Sequence, residues 1–114
     1  MPKYREYTET LQIPQSEIDE INEWLAGGEK EITKDATDSE VVRKWVVKFS
    51  GTDVEADVNV WDFTDTGRWA EVLFRENGND IGGYGITRLD DGLRLPWQNE
   101  IETDDDFVVV IQAT

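Results

Sequence analysis

Between residues 41 and 76 the chain repeats one pattern, apolar and polar side chains at alternate positions, and that pattern limits what it can fold into. In "VVRKWVVKF", 41–49, Val41, Trp45, Val47 and Phe49 share one parity, and Lys44 and Lys48 the other. In "VEADVNVWDF", 54–63, Val54, Ala56, Val58 and Val60 alternate with Glu55, Asp57, Asn59, Trp61 and Phe63. In "RWAEVLFRE", 68–76, Ala70, Val72 and Phe74 alternate with Trp69, Glu71 and Leu73. Successive side chains of a β-strand point to opposite faces, so a period of two is a strand with one face in a core. "SGTD" and "TDTG" between the runs are turn signals, which makes the three an antiparallel meander. The second face carries Trp61, Phe63, Trp69 and Leu73 and needs cover. The sheet is expected to curl over these residues; the alternative is an exposed aromatic patch.

The other segments extend this frame. "YREYTETLQI", 4–13, places Tyr7, Leu11 and Ile13 on one face, and Pro14 ends the strand because proline lacks a ladder N–H. "SEIDEINEWLAGG", 16–28, has helical spacing: Ile18, Ile21 and Leu25 form an apolar stripe with Trp24 at its edge, opposite Asp19, Glu20 and Glu23. Ser16 is the expected N-cap, and Gly27-Gly28 the left-handed stop. Residues 29–40 are polar and read as a loop, with room for a short strand at 31–34. Asn77-Gly78 is the strongest hairpin signal, and "DIGGYGITRL" returns from it. "DDG", 90–92, is a turn, and Pro96 ends the short strand "LRLPW". "FVVVIQA", 107–113, is apolar on both faces, which places it inside a sheet with the helix over one side. The expected fold is α+β: a single domain over residues 1–114, with a curled antiparallel sheet of five to six strands and one N-terminal amphipathic helix, 16–26, packed on it.

Composition excludes more chemistry than it suggests. The chain has no Cys and no His, so thiolate chemistry, the ordinary neutral-pH proton shuttle and the commonest metal ligand are absent. Ser16, Ser39 and Ser50 lie at cap or turn positions without an imidazole base. The glycines of "GGYG" match neither dinucleotide nor phosphate-loop spacing and read as a kinked strand. The run "EIETDDD", 100–106, offers carboxylates, but no EF-hand pattern surrounds it, and consecutive Asp side chains on an extended chain point apart. No catalytic residue, cofactor or metal is expected.

What remains is charge. Twenty-six acids face 11 bases, a net of −15. Residues 1–40 and 76–114 each carry −7, and residues 41–75 only −1. Such a chain repels nucleic acid and anionic membrane and attracts basic protein surfaces. Two acid arrays are the expected partner-binding residues: Asp19, Glu20 and Glu23 on the helix, and Glu100, Glu102, Asp104, Asp105 and Asp106 in the run. In size, charge and absence of chemistry the chain resembles the DNA-mimicking anti-CRISPR and anti-restriction proteins of phage and mobile elements. That resemblance implies a non-enzymatic inhibitor that blocks the basic groove of a nucleic-acid-binding protein or nuclease, in the host cytosol. A second reading is an interaction module working through surface aromatics, with Trp61, Trp69 and Trp97 as candidates, although tryptophan is ordinarily core. A Ca²⁺- or Mg²⁺-binding or carboxylate-based enzyme is the third.

Overall fold

The computed structural model describes residues 5–27, 41–63, 67–98 and 105–114, with the backbone alone for Phe63, Trp97 and Gln98. Along the chain run Arg5–Ile13 (β1), Gln15–Leu25 (α1), Val41–Lys48 (β2), Val54–Phe63 (β3), Gly67–Glu76 (β4), Asn79–Ile86 (β5), Arg94–Gln98 (β6) and Asp105–Ala113 (β7). Among the described residues the fold is mostly β with one helix. The single curled sheet of five to six strands is corrected to two sheets holding seven strands, in the orders β1-β7-β6 and β2-β3-β4-β5.

The meander is as its alternation requires: β2, β3, β4 and β5 pair antiparallel in sequence order. Asn77 (φ 52°) and Gly78 (φ 81°) both take the left-handed turn conformation that a two-residue hairpin demands. The second sheet departs from an all-antiparallel arrangement, because β1 runs parallel to β7, from Arg5 opposite Asp105 to Ile13 opposite Ala113. β7 lies between β1 and β6, in the interior position that its continuous apolar run calls for. Pro96 sits on the edge strand β6, where its missing N–H costs no ladder bond.

Helix α1 begins one residue earlier than its sequence signal. Pro14 occupies the cap position with no side-chain cap bond, and Ser16 lies within the first turn rather than capping it. The chain enters the helix directly from β1: the Thr114 N–H donates to the Ile13 carbonyl and the Gln15 N–H to the Thr114 carbonyl. At the other end Gly27, at φ 95°, supplies the expected left-handed stop.

Both sheets and α1 bury their apolar faces in one core. Ile13, Phe107, Val109 and Ile111 from the three-stranded sheet meet Val58, Val60, Val72 and Phe74 from the four-stranded sheet and Ile18, Ile21 and Trp24 from the helix. A chain of rings crosses this core: Tyr7 on Phe107 (5.3 Å), Phe107 on Phe49 (5.1 Å), Phe49 on Phe74 (6.4 Å) and Phe74 on Tyr84 (6.4 Å). The helix is fastened to the four-stranded sheet by polar contacts at its ends. Arg43 bonds Glu17 at 2.9 Å. Arg68 lies 4.5 Å over the Trp24 ring and donates to the Trp24 carbonyl at 2.5 Å, a cation at the negative end of the helix dipole.

At the end of the ring chain the Tyr84 hydroxyl is buried and has no hydrogen-bond partner among the described residues. Burial pushes its pKa up to about 12, because the phenolate loses water without gaining a donor. Unfolded, the same hydroxyl ionises near pH 10, so above that pH the unfolded chain releases a proton that the folded chain retains. Stability is therefore expected to fall as pH rises from about 10 to about 12, by up to ~2 kcal/mol. Denaturant titrations across that range should show the decline, and the Tyr84→Phe variant should lack this component.

Candidate acidic surface

Helix α1 presents its acids outward because its apolar stripe is committed to the core. Asp19 and Glu23 are exposed and Glu20 is partly so, while Ile18, Ile21 and Trp24 are buried. Asp19 is held in place by its own turn, accepting from the Gln15 side-chain amide at 2.9 Å. Four residues separate Asp19 from Glu23, about 6 Å along the axis.

Between these two acids lies Asn22, a polar residue only 6% exposed. Its carboxamide works as a peptide group would: Nδ2 donates to the Leu89 carbonyl, and the Leu89 N–H donates to Oδ1 at 2.6 Å. Leu89 is thereby pinned in the core at 0% exposure, and the loop after β5 is drawn against the helix. The same Nδ2 reaches Asp90 Oδ1 at 3.3 Å. Asp91 is fixed beside it, its Oδ1 accepting from the Ala113 N–H at 2.9 Å, one residue before the Thr114 carbonyl that receives the Gln15 N–H. Asp90 and Asp91 thus stand at the same end of β7 as the acidic side of α1. Arg88 pairs with Asp90 there at 3.2 Å.

Of the sequence array of 100–106, the described residues Asp105 and Asp106 do not join this surface. Glu100, Glu102 and Asp104 fall outside the described residues. Asp105 and Asp106 open β7, partly buried, opposite Arg5 and Glu6. The helix starts at the other end of that strand, roughly 26 Å away at the usual strand rise. The Asp105–Asp106 end also carries bases. Arg94 bonds Glu6 at 3.0 Å; the Thr8 hydroxyl at 2.9 Å and that guanidinium together hold the Glu6 carboxyl below its ordinary pKa. The structure therefore ties the Asp90–Asp91 segment, which the sequence showed only as a turn, to α1 through Asn22, and leaves Asp105 and Asp106 at the other end of β7. Adjacency of a loop and a helix face is tertiary; the one sequence clue was an asparagine at the border of the apolar stripe.

The second feature is the open face of the four-stranded sheet. Trp61 and Trp69, which the sequence placed on the second face as either covered residues or an exposed aromatic patch, pair across β3 and β4 on the outer face, Trp61 half-buried and Trp69 46% exposed. The indole of Trp69 lies over Gly85, where a Cβ would come within 2.4 Å of the ring, and its Nε1 donates to Glu71 at 3.0 Å. Alternation along β4 turns Ala70, Val72 and Phe74 to the core and Trp69 outward, where its ring covers the glycine of the edge strand. Trp97's side chain lies outside the described residues. In the middle of the same face Asp57 is 1% exposed, ion-paired to Arg75 at 2.9 Å and Lys44 at 3.8 Å. Burial pushes its carboxyl pKa up, and the two cations oppose that.

Among the described residues no three acids converge as a metal ion would need, and no helix is long and apolar enough to cross a membrane. Comparison with protein-family models, with curated proteins and with solved structures finds no match to this chain.

Proposed function

We propose that the protein is a non-enzymatic inhibitor that offers its acidic surface to the basic groove of a nucleic-acid-binding protein or nuclease, in the manner of anti-CRISPR and other anti-defence proteins of phage and mobile elements. The observation that supports the reading is that the buried Asn22 ties the Asp90–Asp91 turn to α1, the helix on which Asp19 and Glu23 are exposed. Two elements tied in this way keep their backbone spacing when a partner approaches, which lowers the ordering cost of binding. The axial step from Asp19 to Glu23, about 6 Å, spans nearly two phosphate steps along one DNA strand at about 3.4 Å each. A groove lined with Arg and Lys would exchange its counterions for these carboxylates as it does for phosphates, with steering that accelerates the encounter.

The test is capture of host proteins on the immobilised chain, followed by elution with duplex DNA. A nuclease or other nucleic-acid enzyme displaced by DNA is the expected result. Its affinity should drop at least about tenfold for the Asp19→Asn, Glu20→Gln, Glu23→Gln triple variant, with the melting temperature unchanged. A partner that DNA does not displace, or that binds the triple variant equally well, would contradict the reading.

A further inference from the structure

The outer face of the four-stranded sheet differs from the rest of this chain in charge. Its strands bring together Lys44, Lys48 and Arg75 against Glu55, Asp57, Glu71 and Asp80, three bases and four acids, in a protein with 11 bases and 26 acids. It also carries Val46 (49% exposed) and Trp69 (46%), the two large exposed apolar side chains among the described residues. The helix and the other sheet pack on the inner side; on this side Asp57 (1% exposed) and Asn59 (3%) are held beneath Lys44, Arg75 and Glu71, while Val46 and Trp69 stand out from the face.

Register across the face makes it complementary to itself. Lys48 pairs with Glu55, Glu55 with Arg75, and Arg75 with Asp80, a row that reads plus, minus, plus, minus from β2 to β5. Arg75 Nε lies 3.4 Å from Asp80 Oδ1 and its other nitrogen 2.9 Å from Asp57, which places all three on the same side. A two-fold axis between β3 and β4, parallel to the strands, reverses the order of the strands and keeps each row at its own height. Lys48 of one copy then faces Asp80 of the other, and Glu55 faces Arg75. One row along, Val46 meets Gly83, a position without a side chain, and Asp57, held by Arg75 and Lys44 of its own copy, meets Leu73. Further along, Trp61 meets Trp69. Strands so aligned belong to the common class of face-to-face sheet packing. Four strands about 4.8 Å apart and some eight residues long cover on the order of 500 Å² per copy, or about 1,000 Å² in total, the lower bound of a specific interface.

We propose that this face is the interface between two copies of the chain, related by that two-fold axis. A nearly neutral patch is where two chains of net charge −15 approach with least repulsion. The dimer leaves α1 and the Asp90–Asp91 turn on its outside, one acidic surface per copy, and does not depend on what those surfaces bind.

Sedimentation equilibrium of the full chain at about 0.15 M salt, where charges interact over roughly 8 Å, is the test. Wild type is expected to dimerise. Lys48→Asp and Asp80→Lys should each raise the dimer dissociation constant at least about tenfold, because each sets like charges opposite one another. An equimolar mixture of the two variants should recover a dimer, since every altered charge then meets its opposite; Asp80 is largely exposed, so folding is not at stake there. A wild type that stays monomeric at every concentration, single variants that dimerise as wild type does, or a mixture that remains monomeric would each overturn the proposal.

Discussion

Phe49→Ala is expected to lower the stability of the fold by about 4 kcal/mol, the cost of deleting a fully buried aromatic ring and leaving a cavity. Phe49 is 1% exposed and is the middle ring of the chain that runs from Tyr7 to Tyr84. It meets Phe107 of β7 edge-on at 5.1 Å with a 70° interplanar angle, and Phe74 of β4 at 6.4 Å. It is therefore a contact between the two sheets rather than within one. Its backbone is committed as well: the Phe49 N–H donates to Val54, and its carbonyl accepts from the Thr52 N–H and hydroxyl, which closes the β2–β3 turn. The ring cannot swing away to fill the space without breaking that turn. A loss of this size corresponds to a melting temperature lower by ~15 °C for a domain of this length. Phe49→Leu, which keeps most of the volume, should cost less than about 1.5 kcal/mol. A thermal melt that drops equally for both variants would mean that the cavity is not the cause.

The second large effect is expected at Asn22. Asn22→Ala removes both partners of the Leu89 peptide group, leaving a buried N–H and a buried carbonyl without bonds, at about 3 kcal/mol for the pair. Asn22→Leu adds apolar volume but restores neither bond, so it should be no better. Beyond the stability loss, the loop holding Asp90 and Asp91 should detach from the helix. Amide exchange at Leu89 reads this directly: slow in the wild type, fast in either variant. If Leu89 stays protected, the carboxamide is not what holds the loop, and the acidic cluster has another origin.

These two residues also show what could be read from the sequence. Strands β2 to β5 were legible because alternation reports burial on one face, and Asn77-Gly78 marks its turn by a backbone requirement that few other residues meet. β7 was legible as an interior strand from "VVVI", but not as the parallel neighbour of β1, because nothing local encodes a pairing across about 100 residues. The division into two sheets falls between β5 and β6, which do not pair. The same division leaves the outer face of the meander open and Trp69 exposed, where a single curled sheet would have covered it. The helix acids were legible from spacing. Their neighbours Asp90 and Asp91 were not, since a turn signal states how the chain bends and not what it bends toward.

The central claim, that an ordered acidic surface takes the place of nucleic acid on a basic partner, is tested most directly by salt. The measurement is the dissociation constant of the captured partner between about 50 and 200 mM salt, for the wild type and for the helix triple variant. A steep loss of affinity in the wild type, on the order of a hundredfold or more, with a shallower slope in the variant, is the predicted result. Affinity that stays flat across that range in both proteins would contradict it.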